Sequence, residues 1–207
     1  HHYHTNQQEL PVIVKVFDGL WYIVDSCDYD VQDHIDYSLY DCIFGFGEPF
    51  VNSFHQNSKH PVSIYYGTGR HVCSQNFSSL MRAKEIFKKR GVWLLDSCRV
   101  VKKTWSEQTT LVDAIIPLGN DMALKSYRTF YDGPIVLQPA TFNAALPANL
   151  LVRNKVASKH FFWFAGAGAV HKGLDLLLEV FTTRKDIFLH IGSNLDDEKT
   201  FLAAFAR

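Results

Sequence analysis

The run WFAGAGAVHKGLDLLLEVF, residues 163–181, gives the clearest indication of the fold, because it passes from a strand into a helix through a loop that contains Gly166 and Gly168. The apolar residues 161–165 predict a buried strand, and residues 166–172 form a glycine-bearing loop. The next helix places four apolar residues on one face, at the spacing i, i+3, i+4, i+7: Leu174, Leu177, Leu178 and Phe181. A second strand over 186–191 completes a β-α-β unit, whose strands are parallel.

Short apolar runs alternate with helical stretches over the rest of the chain. Strands are predicted at residues 20–24, 42–46, 62–66, 112–118 and 135–137. One face of a helix ending near Gly91 is predicted from Phe77, Leu80, Met81 and Phe87. Residues 10–17 fit a helix or a strand, and two further helices are predicted, one through about Phe130 and a final one after Gly192 that carries Phe201, Leu202 and Phe205. The alternation predicts an α/β fold with parallel sheets covered by helices on both faces.

The segment 139–148 changes character, because it is rich in proline and alanine and has few charges. Such composition is typical of a crossing between domains. We therefore expect a first domain over residues 1–145 and a second over residues 146–207.

The 207 residues include 21 basic and 21 acidic side chains, so no net field favours nucleic acid or an anionic membrane. No apolar run reaches the length of a membrane span, and we expect a cytoplasmic protein, with peripheral contact at the inner membrane face left open. One cluster of basic residues is either a solvated helix face or a patch that binds phosphate or lipid headgroups: Arg82, Lys84, Lys88, Lys89 and Arg90.

Cys27, Cys42, Cys73 and Cys98 are widely spaced, which predicts reduced, mostly buried thiols and no zinc site.

The loop after the strand at 161–165 is the first candidate site. Gly166 and Gly168 let the backbone approach a ligand, while Lys172 adds a positive charge near a helix start. A phosphate site and a tight structural turn with a solvated lysine both fit this pattern. The loop is neither a Walker loop nor a dinucleotide fingerprint, because the third glycine would fall at His171.

Other strand ends carry further candidates. Gly67, Gly69, Arg70 and His71 follow the strand at 62–66, and the first three are candidate acceptor-side residues. His71 is a catalytic acid or base, a hydrogen-bond donor to the substrate, or a polar loop residue, and Arg70 either binds an anion or is a solvated surface charge. Near the N-terminus, His4 and Asn6 are candidate acceptor contacts, although ordinary helix capping by Asn6 fits equally. Glu48 is a lone loop carboxylate, which is more often solvated than catalytic.

The run at 163–181 resembles the opening of the donor-binding domain of bacterial group 1 glycosyltransferases, family 4. Further segments agree in the same order: HTN at 4–6, YDCIFGFGEPF, IYYGTGRH, DAIIPLGN and VLQPATFN. The resemblance implies a GT-B fold, in which two Rossmann-like domains with parallel sheets carry the donor and acceptor sides. It also implies retaining transfer of a sugar from a nucleotide diphosphate sugar to a saccharide, a lipid-linked sugar or a small molecule.

The resemblance also implies roles for individual residues. Lys172 matches the lysine that contacts the donor diphosphate, and Gly166 and Gly168 match the loop beneath it. His71 matches a histidine near the sugar, and residues 4–6 match the acceptor side. No cofactor and no metal are expected, since the nucleotide sugar is a substrate.

The chain differs from the family pattern in two ways that change the activity we expect of it. Ala167 stands where many members carry a second phosphate-binding arginine. The family pattern also implies that the first domain lacks its first strand and that the second is partial, so the 207-residue chain is expected to be inactive. The alternatives are a non-catalytic sugar- or nucleotide-binding Rossmann module and a dinucleotide-dependent oxidoreductase or epimerase.

Overall fold

The computed structural model describes residues 9–31, 34–55, 61–102, 107–140 and 156–205. The chain divides into two compact units, one of His1–Val72 with Lys103–Ala145 and one of Cys73–Lys102 with Leu146–Arg207. Each unit has its own parallel sheet, so the predicted mixed α/β fold is confirmed. The division at residue 145 stays a prediction, and residues 73–102 group with the second unit.

The elements follow one another in a regular alternation. In chain order they are α1 (Glu9–Gly19), β1 (Cys42–Gly45), α2 (Glu48–Asn52), β2 (Val62–Gly67), α3 (Val72–Arg90), β3 (Ala114–Pro117), α4 (Asp121–Arg128), β4 (His160–Phe164), α5 (Leu174–Phe181), β5 (Phe188–Gly192) and α6 (Lys199–Phe205). Within the residues that the structure describes, short 3₁₀ turns lie at Tyr37–Leu39, Glu107–Thr110 and Val156–Lys159. The predicted crossing at 139–148 lies almost wholly outside the described residues.

The sheet of the first unit has the strand order β1-β2-β3, and both pairings are parallel. The predicted strand at 135–137 is present only as two isolated parallel bridges, from Ile115 to Ile135 and from Leu118 to Gln138. The core beneath the sheet is built from Phe50, Val112, Ile115, Tyr127 and Tyr131. Helix α4 begins after the capping residue Asn120, whose Oδ1 accepts the Met122 amide at 3.0 Å.

The second unit contains the parallel pair β4-β5. Its core combines residues from α3, the segment after it, β4, the glycine loop, α5 and α6: Ala83, Ile86, Leu94, Cys98, Trp163, Ala169, Val170, Leu174 and Phe201. Leu177 and Leu178 pack against this core, so the predicted apolar face of α5 is confirmed. The glycine loop is therefore part of the packed interior as well as a connection.

The strand predicted at residues 20–24 is wrong. This segment turns back on α1, where the Trp21 amide donates to Asp18 O at 2.9 Å and the Tyr22 amide donates to Phe17 O at 3.1 Å. Trp21 adopts a left-handed φ of 67° and is 95% exposed. The helix end thus captures the backbone hydrogen bonds that a strand would need.

The apolar face predicted for α3 is also wrong, although the helix itself is confirmed. Phe77, Leu80, Met81 and Phe87 are all exposed, whereas the helix buries Ser79, Ala83 and Ile86. Small residues let the segment after the helix approach closely, so that Ser79 Oγ donates to Arg99 O at 2.8 Å. Asn76 fixes the same segment by exchanging hydrogen bonds of 2.8 and 2.9 Å with the backbone of Val101.

The four cysteines are free thiols, but they are not mostly buried as predicted. Cys98 is buried and Cys42 is half-buried, whereas Cys27 and Cys73 are exposed. Burial raises the pKa of the Cys98 thiol to about 11. Within the described ranges no helix is both long enough and apolar enough to cross a bilayer.

Candidate functional site

The glycine loop leaves the carboxyl end of β4 and leads to α5, where parallel sheets commonly bind ligands. Gly166 and Ala167 are exposed, whereas Gly168 and Ala169 are buried. Gly168 has a φ of 96°, a backbone conformation that only glycine adopts without strain. The loop therefore begins in solvent, passes through the interior at Gly168 and Ala169, and returns to solvent at Lys172.

The buried part of the loop, Gly168 and Ala169, binds a carboxylate from the same chain. Glu198, just before α6, accepts the Gly168 amide at 2.7 Å through Oε1. The Ala169 amide donates to both carboxylate oxygens, each at 3.0 Å. Successive amides that point at one anion form a nest of the kind that elsewhere binds phosphate. In this loop the bound anion is the side chain of Glu198, which belongs to the protein itself.

Lys172 presents its side chain to solvent from a main chain that is held on both sides. Its amide donates to Gly168 O at 2.8 Å, and its carbonyl accepts the Trp163 indole N–H at 3.1 Å. The preceding amide, of His171, donates to Ser97 O at 3.1 Å. The loop thus presents an exposed ammonium group on a main chain that hydrogen bonds fix.

The first turn of α5 holds an ion pair whose carboxylate is buried. Asp175 is 1% exposed, and its Oδ2 accepts from the Arg82 guanidinium at 2.5 Å. Its other oxygen, Oδ1, has no hydrogen-bond partner among the residues that the structure describes. Arg82 also pairs with Glu85 at 2.8 Å, so its charge is engaged by two carboxylates.

Two other residues of the basic cluster contact their own unit. Lys89 lies 3.3 Å from a carboxylate oxygen of Glu179, and the Arg90 guanidinium lies 4.0 Å from the centre of the Phe205 ring. Lys84 and Lys88 are exposed. These contacts favour the interpretation of the cluster as a helix face with local partners.

Glu198 is the residue that sequence reasoning missed. It is 6% exposed although it follows two exposed aspartates, Asp196 and Asp197. Three consecutive acidic residues predict a solvated turn, and no local pattern indicates that the third is buried. The only available signal was the need of the loop amides for an acceptor.

In the first unit, His71 is part of the packed interior. Its ring is buried, lies 3.1 Å from Thr109 Oγ1 through Nε2, and stacks on Phe130 with 4.2 Å between centroids. Its amide donates to Ser126 Oγ at 2.9 Å. Burial lowers the pKa of the imidazole, which favours the neutral form. A catalytic role for His71 stays a prediction.

The glycines before His71 have different surroundings. Gly67 is buried, and a Cβ there would lie 2.3 Å from Tyr127 Oη. Nothing lies within 4 Å of the corresponding position at Gly69, and Arg70 is half-buried. Gly67, Gly69, Arg70 and His71 thus lie together in one loop of the first unit. His4 and Asn6 lie outside the described residues.

Among the described residues, no three His, Cys, Asp or Glu side chains cluster so as to hold a metal ion. Comparisons of the chain with protein-family models, with curated proteins and with solved structures found no match.

Proposed function

We propose that the protein is a glycosyltransferase of the GT-B type, which transfers a sugar from a nucleotide diphosphate sugar to an acceptor with retention of configuration. One observation carries this proposal. The loop at the carboxyl end of β4 fixes the main chain of Lys172 at both its amide and its carbonyl and leaves the side chain in solvent. A cation on a fixed support is suited to binding an anionic phosphate group.

Lys172 stabilises the negative charge that develops on the departing nucleotide diphosphate. Fixed positive groups directed at developing charge commonly make a large contribution to catalysis. The exposed backbone at Gly166 and Ala167 contacts the same phosphates, because the Gly168 and Ala169 amides already bind Glu198. Gly168 then serves as the turn that its positive φ requires.

The loop over residues 67–70 contributes to the acceptor side. His71 supports that loop from within the first unit, through its backbone bond to Ser126 and its ring contacts with Thr109 and Phe130. We assign it a role in shaping the loop, alongside the direct sugar contact that the resemblance implies.

The test is the affinity for a panel of nucleotide diphosphate sugars in Lys172→Ala, measured by calorimetry. Loss of a charge-assisted hydrogen bond of about 1.5–3 kcal/mol weakens binding about 10- to 100-fold. Binding is the chosen readout because it reports the contact between Lys172 and the donor directly.

Lys185→Ala is the matched control. Lys185 is exposed in the same unit and precedes β5, at the edge of the parallel sheet opposite to Lys172. Its removal should leave donor affinity within about two-fold of the wild type. Equal affinities in the wild type and Lys172→Ala would remove Lys172 from the site and the proposal with it.

A second candidate function is a sugar- or nucleotide-binding module without catalysis. It is favoured by the occupation of the loop amides by Glu198, together with alanine at position 167, because both reduce the number of groups available to a diphosphate. Donor binding without transfer to any acceptor would favour this module over the enzyme.

A further inference from the structure

Glu198 is a buried carboxylate whose charge is satisfied by backbone amides. It is 6% exposed, and burial of an ionised carboxylate is costly unless hydrogen bonds compensate for the lost water. The Gly168 and Ala169 amides supply three contacts of 2.7, 3.0 and 3.0 Å. An arrangement that directs two consecutive amides at one side chain constrains the loop on which they lie.

Two short chains of hydrogen bonds lead from Glu198 to the ends of the loop. Gly168 donates to Glu198 and accepts from the Lys172 amide at 2.8 Å. Ala169 donates to Glu198 and accepts from the Leu174 amide at 2.9 Å, at the start of α5. A single residue, Gly168 or Ala169, thus links the carboxylate to Lys172 and to the first residue of the helix.

We propose that Glu198 is a positioning residue for the anion site: it locks the glycine loop so that Lys172 is held where it binds a diphosphate. This inference rests on the proposed function, because it takes Lys172 as the phosphate contact. It adds that the Gly168 and Ala169 amides never reach the ligand. The diphosphate binds at Lys172 and the exposed Gly166–Ala167 backbone, while the chain's own carboxylate occupies the interior of the loop.

The opposite relation would be a competition in which the diphosphate displaces Glu198 and takes the two amides. The burial of these amides argues against it, since Gly168 and Ala169 are in the interior and Ala169 is 0% exposed. A diphosphate is far larger than a carboxylate and would have to separate the loop from α6. The two relations predict opposite changes in affinity when Glu198 is removed.

The experiment measures inorganic pyrophosphate binding by calorimetry in Glu198→Ala and Glu198→Gln. We expect at least about ten-fold weaker binding in Glu198→Ala, because the loop loses its lock. The pyrophosphate affinity of Glu198→Gln should lie between those of the wild type and Glu198→Ala. Its amide oxygen can still accept from Gly168, while its NH₂ group faces the Ala169 amide. Asp197→Ala is the control, because Asp197 is the exposed neighbour of like charge, and it should bind as the wild type does. Equal or tighter binding in Glu198→Ala overturns the proposal.

A second readout follows the loop itself. Hydrogen exchange of the Gly168 and Ala169 amides should accelerate in Glu198→Ala, and added formate should slow it again by entering the vacated space. Formate should also restore part of the pyrophosphate affinity, which a general loss of packing would not allow. Should Glu198→Ala fail to fold, the same two measurements on Glu198→Gln decide the matter. Unchanged exchange in both variants overturns the lock.

The results separate this inference from the proposed function. If Lys172→Ala weakens pyrophosphate binding and Glu198→Ala does not, the positioning role fails and the anion site stands. If the wild-type chain binds neither pyrophosphate nor any sugar nucleotide, the proposed function fails and the positioning role fails with it. Faster exchange in Glu198→Ala would then describe a structural contact alone.

Discussion

The side chain of Tyr127 explains why residue 67 is a glycine. The Tyr127 ring is buried at 2% exposure and cannot withdraw from a Cβ at position 67, which would lie 2.3 Å from its Oη and 2.8 Å from Cζ. The sequence marks Gly67 as a candidate acceptor-side residue. The structure shows that packing against Tyr127 is sufficient to require it.

Gly67→Ala should therefore lower the free energy of unfolding by about 1–3 kcal/mol, as overpacking of a core does. Gly69→Ala is the matched control, because open space surrounds that position, and it should change stability by less than about 0.5 kcal/mol. Urea unfolding of both variants checks the pair. Equal effects would contradict the packing explanation.

His71 makes stability depend on pH. Its pKa is lowered by burial below the ordinary value of about 6.5, so the unfolded chain binds the proton more tightly than the folded one. The contribution is fully present above pH 6.5 and is lost as the pH falls through the folded pKa. The free energy of unfolding should therefore decrease from pH 7.5 to pH 5.5, by a smaller amount in His71→Gln.

The exposed His55 provides the comparison, since His55→Gln should retain the wild-type pH dependence of urea unfolding. A decrease of equal size in the wild type and in His71→Gln would show that other groups cause it.

At the scale of elements, helix α3 shows where hydrophobic periodicity misleads. The large residues Phe77, Leu80 and Phe87 suggested the buried face, but Ser79, Ala83 and Ile86 form it at the spacing i, i+4, i+7. Small residues bury well when a backbone segment lies directly against them, as residues 99–101 do here. A scale that ranks residues by hydrophobicity cannot detect this arrangement.

Ile86→Ala should consequently cost about 2–5 kcal/mol, because the side chain is 3% exposed and leaves a cavity in the core. Leu80→Ala, at a position that is 48% exposed, should cost less than about 1 kcal/mol. Chemical denaturation of the two variants distinguishes the faces. A larger loss in Leu80→Ala would restore the face that the sequence predicts.

The β4-loop-α5 element could be predicted because every signal in it is local. A strand-length apolar run, two glycines and the i, i+3, i+4, i+7 spacing lie within 20 consecutive residues or so. The partner of the loop could not be predicted, since Glu198 lies 30 residues beyond Gly168 in the chain. The strand predicted at residues 20–24 does not form, because the end of helix α1 and a strand compete for the same backbone donors.

At the scale of the molecule, the α/β class and the parallel sheets follow from the order of the elements. The grouping of residues 73–102 with the second unit does not, because it depends on contacts such as that of Arg82 with Asp175, 93 residues away. Balanced charge, 21 basic against 21 acidic residues, gave no guide to such pairs. Long-range contacts of this kind are set by packing and leave no mark on local composition.

The bond from the Trp163 indole to the carbonyl of Lys172 has an optical consequence. Indole emission responds to the polarity and hydrogen bonding of its surroundings, and Trp163 is 8% exposed. Any event that shifts the peptide of Lys172 changes what this fluorophore donates to. The molecule thus carries a built-in emission reporter at the loop, readable without a label once the signals of the other tryptophans are subtracted.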